Sequence, residues 1–260
     1  MSPHTLIFSN QKGGVGKTTL TRELGFYLAS RDLAVLLVDC DPQGNLSKSL
    51  MDSPEGGLYE ALTGEPFQLA TVQERLSLLS GDFRLALLEK SLIGEIDAYS
   101  RLKDLLSQTD LSSFQFVLLD TPPSLGVLTV NALAAADHLV VPMNPSLYSM
   151  QGTNDLMRTV SKVHANLNPS LSLLGVIVNA YDSVPTITRQ IRTEIEASFG
   201  DNVFSTVLSK SIKLEEAIAS RRGVIHHAHL GASRVANEVK SLGQELLARL
   251  QAAATAEANS

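Results

Sequence analysis

A glycine-rich loop near the amino terminus constrains the fold of this chain more than any other feature. The loop spans Lys12–Thr19, reads Lys-Gly-Gly-Val-Gly-Lys-Thr-Thr, and follows the short apolar run Thr5–Ser9. From Lys17 onward, apolar residues such as Leu20 and Leu24 recur at helical spacing. The pattern predicts a strand, a tight loop and a helix in immediate succession, which is how an α/β sheet begins.

The same alternation continues along most of the 260 residues. Continuous apolar runs predict further strands at Leu33–Val38, Phe114–Leu119, His138–Val141 and Leu171–Val178. Helical spacing predicts helices at Ile96–Leu106, Val127–Ala136, Met150–Leu167, Ile187–Phe199, Glu216–Ser220 and Ala232–Leu250. The Gly-, Pro- and Ser-containing stretch Asn45–Arg84 gives no clear pattern.

These elements predict an α/β fold with a doubly wound, mostly parallel sheet flanked by helices. Aromatic residues make up only 5% of a chain that is 44% hydrophobic, so the core is built from Leu, Val, Ile and Ala, as suits buried parallel strands. With no linker or repeat to divide it, residues 1–250 are expected to form one domain. The Ala-rich polar tail 251–260 is expected to be frayed.

Composition excludes several classes of protein. A single cysteine, Cys40, allows neither a disulfide framework nor a four-thiolate zinc site. No secretory leader is recognisable, and no apolar run approaches the roughly 20 residues that span a bilayer, so we expect a cytoplasmic protein without a membrane partner. The net charge of −6 argues against a surface that is basic throughout, although a local basic patch remains open.

The glycine-rich loop has the chemistry of a phosphate site. Glycines can adopt positive φ and let backbone N–H groups close around phosphate oxygens at a helix amino terminus. Lys17 then reaches the β- and γ-phosphates, the Thr18 hydroxyl suits Mg²⁺, and Thr19 suits the α-phosphate. Gln11 stands where the usual pattern has its first glycine. The expected nucleotide-binding residues of the loop are Lys12, Gly13, Gly14, Val15, Gly16, Lys17, Thr18 and Thr19.

Three aspartates follow predicted strands. Asp39 and Asp41 lie two apart after Leu33–Val38, so an extended backbone would point both toward the loop. Asp120 ends the run Phe114–Leu119, which suits a carboxylate that holds Mg²⁺. Acidic turn or cap residues are the plainer alternative for each. The pairing with a phosphate loop favours a metal site.

Lys12 is an additional lysine at the start of the loop, and spacing alone leaves it as one more cation that attracts phosphate. Together with Val38-Asp-Cys-Asp-Pro-Gln-Gly-Asn45 and Leu118-Leu-Asp-Thr-Pro-Pro123, the loop resembles the deviant Walker A ATPases, a P-loop NTPase group, and in particular their ParA/Soj partitioning branch. The resemblance extends from about Thr5 to Leu250.

The resemblance implies a slow, partner-stimulated ATPase that uses ATP, ADP and Mg²⁺. By the same resemblance, Lys12 contacts the phosphates bound by a second subunit, and Lys12, Lys17 and Asp41 are catalytic, with Asp41 orienting the attacking water. Thr18, Asp39 and Asp120 would form the metal shell. Asn179 stands where the family often contacts adenine.

The resemblance also implies partners. An ATP-bound homodimer would bind double-stranded DNA without sequence preference, close to the nucleoid, and a ParB-like centromere-binding protein would stimulate hydrolysis. The candidate DNA-binding residues are Arg189, Arg192, Lys210, Lys213, Arg221 and Arg222. The surrounding segment departs from the family pattern at Glu215-Glu216 and Ala219-Ser220, so the individual contacts stay open.

Three alternatives remain from the sequence. A MinD-like ATPase would bind a membrane surface through a basic amphipathic carboxyl-terminal helix, but no Lys or Arg follows Arg249. A metabolic enzyme with the same P-loop would need bridging cysteines if it were nitrogenase-reductase-like, or an acceptor pocket if it were synthetase-like. A ParA-like protein that positions some other cargo is compatible with every motif.

Overall fold

One seven-stranded sheet organises the computed structural model, which describes residues 2–52, 57–146, 149–182 and 186–258. The strand order is β3-β4-β2-β5-β1-β6-β7. The strands are β1 (His4–Phe8), β2 (Val35–Asp39), β3 (Ala70–Gln73), β4 (Leu76–Leu79), β5 (Phe116–Asp120), β6 (His138–Met143) and β7 (Ser172–Val178).

Helices connect the strands and cover both faces of the sheet. They are α1 (Lys17–Ser30), α2 (Asn45–Leu50), α3 (Leu58–Thr63), α4 (Arg84–Ser91), α5 (Arg101–Gln108), α6 (Val127–Ala135), α7 (Ser149–Asn166), α8 (Thr186–Phe199), α9 (Ile212–Ala219) and α10 (Arg234–Ala258), with a 3-10 turn at Gly200–Asn202. All strand pairs are parallel except β3 with β4. The predicted α/β fold is therefore confirmed.

Alternating side chains of the central strands serve two separate cores. Leu6 and Phe8 of β1 face the layer that contains α1, α9 and α10, whereas Ile7 faces the layer of α5, α6 and α7. Strands β2 and β5 are buried along their whole length. Burial on both faces explains why their sequences are continuous apolar runs rather than alternating ones.

The structure departs from the sequence predictions in two regions. Within Asn45–Arg84 it forms two short helices, the edge strand β3 and its neighbour β4. Both strands have only four residues, and β4 pairs antiparallel with β3 and parallel with β2. Helix α10 continues past Leu250 to Ala258, and the fraying of the tail 251–260 stays a prediction. The segment is rich in alanine, which has the highest helix propensity. In the described residues, no helix is long and apolar enough to cross a membrane.

A buried ion pair fastens the phosphate-loop helix to a distant segment. Arg22 and Glu23 of α1 are paired with each other and fully buried. The Arg22 guanidinium also donates to the carbonyl oxygens of Ala217 (3.2 Å) and Arg222 (3.0 Å), and Glu23 accepts from the Val224 N–H at 2.7 Å. Residues 217–224 are thus held directly against α1.

Removing one charge of this pair should be costly. Glu23→Ala leaves the Arg22 charge buried without its partner, so we expect it to lower the free energy of unfolding by about 3–5 kcal/mol. Urea denaturation measures the loss. The exposed Glu194→Ala on α8 is the control and should change stability by under about 0.5 kcal/mol. Equal effects of the two substitutions would contradict a structural role for the pair.

Candidate nucleotide site

The predicted phosphate loop lies at the carboxyl edge of the three central strands. Phe8 at the end of β1 and Asp39 at the end of β2 are both in register with Asp120 at the end of β5. A cavity of about 300 Å³ opens at this edge. It is lined by Gly13, Gly14, Gly16, Lys17, Thr18, Thr19, Asp41, Asn45 and Pro123. Sequence reasoning had placed all but Asn45 and Pro123 there.

The loop needs glycine at particular positions. Gly14 has φ +71° and Gly16 has φ +88°, values that side chains disfavour. A Cβ on Gly16 would lie 1.9 Å from Nδ2 of Asn179. The loop ends where α1 begins, so the first amides of that helix lack intrahelical partners and are available to an anion.

Asparagine side chains hold the outer part of the loop. Asn179 donates from Nδ2 to the carbonyl of Val15 at 2.7 Å, and Asn144 donates to the carbonyl of Gly14 at 2.9 Å. In this state the Asn179 amide nitrogen supports the loop, so its adenine contact stays a prediction. The role of Asn144 was missed, because a single asparagine after a strand has no distinguishing pattern.

Lys17 is held on the floor of the cavity. Its ammonium group donates to the carbonyl oxygens of Asn10 (3.0 Å) and Lys12 (3.3 Å), and the residue is buried. Burial lowers the pKa of Lys17, whereas the nearby carboxylates of Asp120 and Asp41 raise it. A phosphate would replace neutral carbonyls with a charged partner, which makes a stronger, charge-assisted contact.

Asp120 is a buried carboxylate with little hydrogen bonding. No backbone N–H among the described residues donates to its oxygens, and the side chain is inaccessible to solvent. Burial, and then the neighbouring Asp39, raise its pKa well above the ordinary value, while the adjacent Thr18 hydroxyl lowers it. A buried carboxylate beside a hydroxyl, at the edge of a phosphate cavity, fits the oxygen ligands of Mg²⁺.

The side chains of Asp39 and Asp41 point in different directions, whereas the sequence had predicted that both point toward the loop. β2 ends at Asp39 and the chain turns at once, with the Gly44 N–H donating to the Asp41 carbonyl at 2.8 Å. Asp41 therefore reaches the cavity, whereas Asp39 is bound from behind by Ser47 through its N–H (2.9 Å) and hydroxyl (2.7 Å). Burial raises the pKa of Asp39 to about 6, although the hydrogen bonds from Ser47 and Asp41 lower it.

Lys12 lies beside the cavity rather than in its lining. Its ammonium group donates to the Ser146 hydroxyl in the loop after β6, and its N–H donates to Oδ1 of Asn10 at 3.0 Å. The residue is half-buried. The two lysines thus occupy distinct places, with Lys17 in the lining of the cavity and Lys12 outside it.

The first group of predicted basic residues is found near the end of β7. Arg192 of α8 is paired with Glu196 and lies over the ring of Tyr181, with 5.4 Å from the guanidinium carbon to the ring centroid. The Lys210 N–H donates to the Tyr181 carbonyl at 3.2 Å. Tyr181 therefore brings Arg192 and Lys210 to the same end of the sheet. Arg189 is exposed on α8.

The second group lies around the end of α9. Arg221, with φ +53°, forms two hydrogen bonds to the carboxylate of Asp52. Arg222 and Lys213 are exposed and have no ion pair with any residue that the structure describes. The structure therefore presents two of the predicted cations freely and neutralises a third.

Comparison with known proteins agrees with this geometry. A family model described as an AAA domain matches residues 4–173. The chromosome-partitioning ATPase Soj of Thermus thermophilus is 39% identical over 249 residues, covering 95% of this chain and 97% of that protein. The chromosome partitioning protein ParA of Caulobacter vibrioides is 38% identical and covers 82% of both chains. The chain belongs to the Soj/ParA family of chromosome-partitioning ATPases.

A solved structure shows the same fold with ligands. The structure of a Mycobacterium smegmatis protein described as cobyrinic acid a,c-diamide synthase, with bound ATP analogue and magnesium, superposes with a TM-score of 0.83 at 31% identity, covering 94% of each chain. The predicted family and the P-loop NTPase fold are confirmed for this ParA-type chain. The roles of individual site residues stay predictions.

We expect Asp120 to stabilise the protein when Mg²⁺-ADP is bound and to destabilise it when the site is empty. Asp120→Asn removes a carboxylate whose charge is penalised by burial and by Asp39, so we expect the nucleotide-free protein to gain about 0.5–2 kcal/mol in free energy of unfolding at neutral pH. The same variant should lose the stabilisation that Mg²⁺-ADP gives the unsubstituted protein. Urea denaturation with and without Mg²⁺-ADP tests both expectations. Full Mg²⁺-dependent stabilisation in the variant would remove Asp120 from the metal site.

Proposed function

We propose that this ParA-type ATPase hydrolyses ATP with Mg²⁺ slowly, dimerises when ATP is bound, and holds DNA until a ParB-like partner stimulates hydrolysis. The observation that carries the proposal is the placement of the two lysines. Lys17 is already committed to the phosphate cavity of its own chain, whereas Lys12 lies just outside it. Lys12 is therefore available to phosphates bound by a second copy.

The residues of the cavity divide the reaction between them. Lys17 would leave the carbonyls of Asn10 and Lys12 to bind the β- and γ-phosphates. Asp120 and Thr18 would hold Mg²⁺, which when bound neutralises charge on the phosphate oxygens. Asp41 would orient the attacking water, because it is the carboxylate in the cavity lining that is free of the metal pair. Lys12 of the second copy would add charge that stabilises the transition state.

Dimerisation explains how an acidic protein could hold DNA. Each subunit has a net charge of −6, yet it exposes Lys213 and Arg222 on one segment and Arg189 on α8. Affinity for DNA rises steeply with the number of phosphate contacts, so pairing two subunits would increase binding far more than twofold. Phosphate contacts carry no base information, which supports binding without sequence preference.

The synthase named for the Mycobacterium smegmatis structure marks the principal alternative. A synthase couples ATP to a small acceptor, whereas the proposed ATPase transfers the phosphoryl group to water. Turnover of ATP by the purified protein without any added acceptor would support hydrolysis. A requirement for a carboxylic acid and an amine donor would favour the synthase.

The proposed cycle predicts a trapped state. Asp41→Ala should bind ATP but turn over at least about 100-fold more slowly, because the attacking water is no longer oriented, and the variant should accumulate as a DNA-bound dimer. Light scattering and co-sedimentation with DNA, each without nucleotide, with ADP and with ATP, measure this. Lys17→Ala, which should not bind ATP, is the negative control. DNA retention that ignores the nucleotide would contradict the proposal.

The Arg221–Asp52 pair predicts a gain of DNA binding. Asp52→Asn frees Arg221 for a phosphate, so DNA retention with ATP should rise several-fold and gain salt dependence. Glu216→Gln removes an equal charge from the same surface and is the matched control. In an Arg221→Ala background, Asp52→Asn should increase DNA retention no more than Glu216→Gln does. An undiminished gain there would mean that Asp52 acts through general charge and not through Arg221.

A further inference from the structure

Ser47, in the first turn of α2, joins three segments of the candidate site. Its hydroxyl donates to Oδ2 of Asp39 at 2.7 Å and accepts from the Gly81 N–H at 3.0 Å. Its own N–H donates to the same Asp39 oxygen at 2.9 Å. Ser47 and Asp39 are both buried, so these bonds do not compete with solvent.

Gly81 closes this arrangement from the side of β4. A Cβ at Gly81 would lie 2.2 Å from the Asp39 carbonyl oxygen, so the backbone after β4 is packed directly against the end of β2. The same Cβ would lie 3.1 Å from the Asp39 carboxyl carbon, so the Gly81 backbone also packs close to the side chain. Ser47 and Gly81 therefore hold Asp39 from the side of α2 and β4.

The other oxygen of Asp39 determines where Asp41 lies. Oδ1 of Asp39 accepts from the Asp41 N–H at 3.2 Å. Asp41 in turn accepts from the Gln43 N–H at 2.8 Å through its side chain, and from the Gly44 N–H through its carbonyl. The turn that carries Asp41 into the cavity is thus attached at its base to a carboxylate that Ser47 holds.

We propose that Ser47 is a positioning residue for hydrolysis: it fixes Asp39 as the anchor of the Asp41 turn, and Asp39 is not a direct ligand of the metal. The inference rests on the proposed role of Asp41. It assigns Mg²⁺ to Thr18, which lines the cavity, and to Asp120, whose buried carboxylate lies beside the Thr18 hydroxyl and accepts no backbone hydrogen bond from the described residues. The three hydrogen bonds to Asp39 oxygens account for its burial without any metal.

The chain provides a matched control for Ser47 two residues away. Ser49 is also buried in α2, and its hydroxyl donates at 2.7 Å to the Leu46 carbonyl of the same helix. That hydroxyl bond reaches neither Asp39 nor Gly81, nor a residue in the lining of the phosphate cavity. Ser47→Ala and Ser49→Ala therefore remove the same atom from the same short helix, but only the first releases Asp39 and Gly81.

Two measurements on the full chain test the proposal. Ser47→Ala should lower kcat for ATP hydrolysis about 10-fold or more, since small displacements of a catalytic group are costly, while KM for ATP stays within about twofold. Calorimetric titration should give Mg²⁺-dependent ADP binding within about twofold of the unsubstituted protein, whereas Asp120→Asn should weaken it more than 10-fold. Ser49→Ala should leave kcat, KM and ADP binding unchanged.

Distinct outcomes would overturn the proposal. If Ser47→Ala weakens Mg²⁺-dependent ADP binding as much as Asp120→Asn, Asp39 belongs to the metal shell. If Ser47→Ala and Ser49→Ala have equal kcat, Ser47 does not position the turn. Should Ser47→Ala fail to fold, the nearly isosteric Ser47→Cys tests the same point, because a thiol is a weak donor and acceptor. The kcat of Ser47→Cys should fall, and a kcat equal to that of the unsubstituted protein would overturn the proposal.

The failure of this inference can be separated from the failure of the proposed function. If the unsubstituted protein does not hydrolyse ATP, or if Asp41→Ala hydrolyses it normally, the proposed function is wrong. If hydrolysis depends on Asp41 but not on Ser47, the proposed function stands and the positioning role is overturned.

Discussion

Two carboxylates lie side by side in the interior of this protein, and the candidate site is built around them. Asp39 and Asp120 end neighbouring parallel strands in register, and neither is accessible to solvent. Desolvation penalises each charge, and each charge penalises the other. These two unfavourable charges lie at the edge of the sheet where the phosphate loop is found, whereas apolar burial stabilises the sheet itself. The rest of the site can be understood as the way in which the two charges are accommodated.

The two aspartates are accommodated differently. Asp39 receives hydrogen bonds from Ser47 and from the Asp41 backbone, which satisfy it within the protein. Asp120 accepts no backbone hydrogen bond from the described residues and lies beside the Thr18 hydroxyl and near the Lys17 ammonium group. A buried carboxylate with few hydrogen bonds can bind a cation favourably, because the cation offsets the desolvation penalty that folding imposed on the carboxylate. This asymmetry separates a structural carboxylate from one that is available to a ligand.

Much of this arrangement can be predicted from the sequence, and the parts that cannot have physical reasons. The central strands and the phosphate loop were predictable because both-face burial requires continuous apolar runs such as Phe116–Asp120, and the loop requires glycine at Gly14 and Gly16. β3 and β4 were not predictable, because four-residue strands carry too little pattern. The different orientations of Asp39 and Asp41 depend on Ser47 and Gly81, which lie 8 and 42 positions after Asp39. Local spacing cannot contain such contacts.

The same contacts place α2 between the phosphate cavity and the basic segment. Its first turn is bound to Asp39 through Ser47, and just past its last residue, Leu50, Asp52 is paired with Arg221. From the other side, Arg22 and Glu23 of α1 hold the backbone of residues 217–224. Leu46 and Leu50 of α2 also pack in the same apolar core as α1 and α9. Buried contacts therefore join α2 to both helices, and the exposed Arg221–Asp52 pair adds on the order of 1 kcal/mol or less to them.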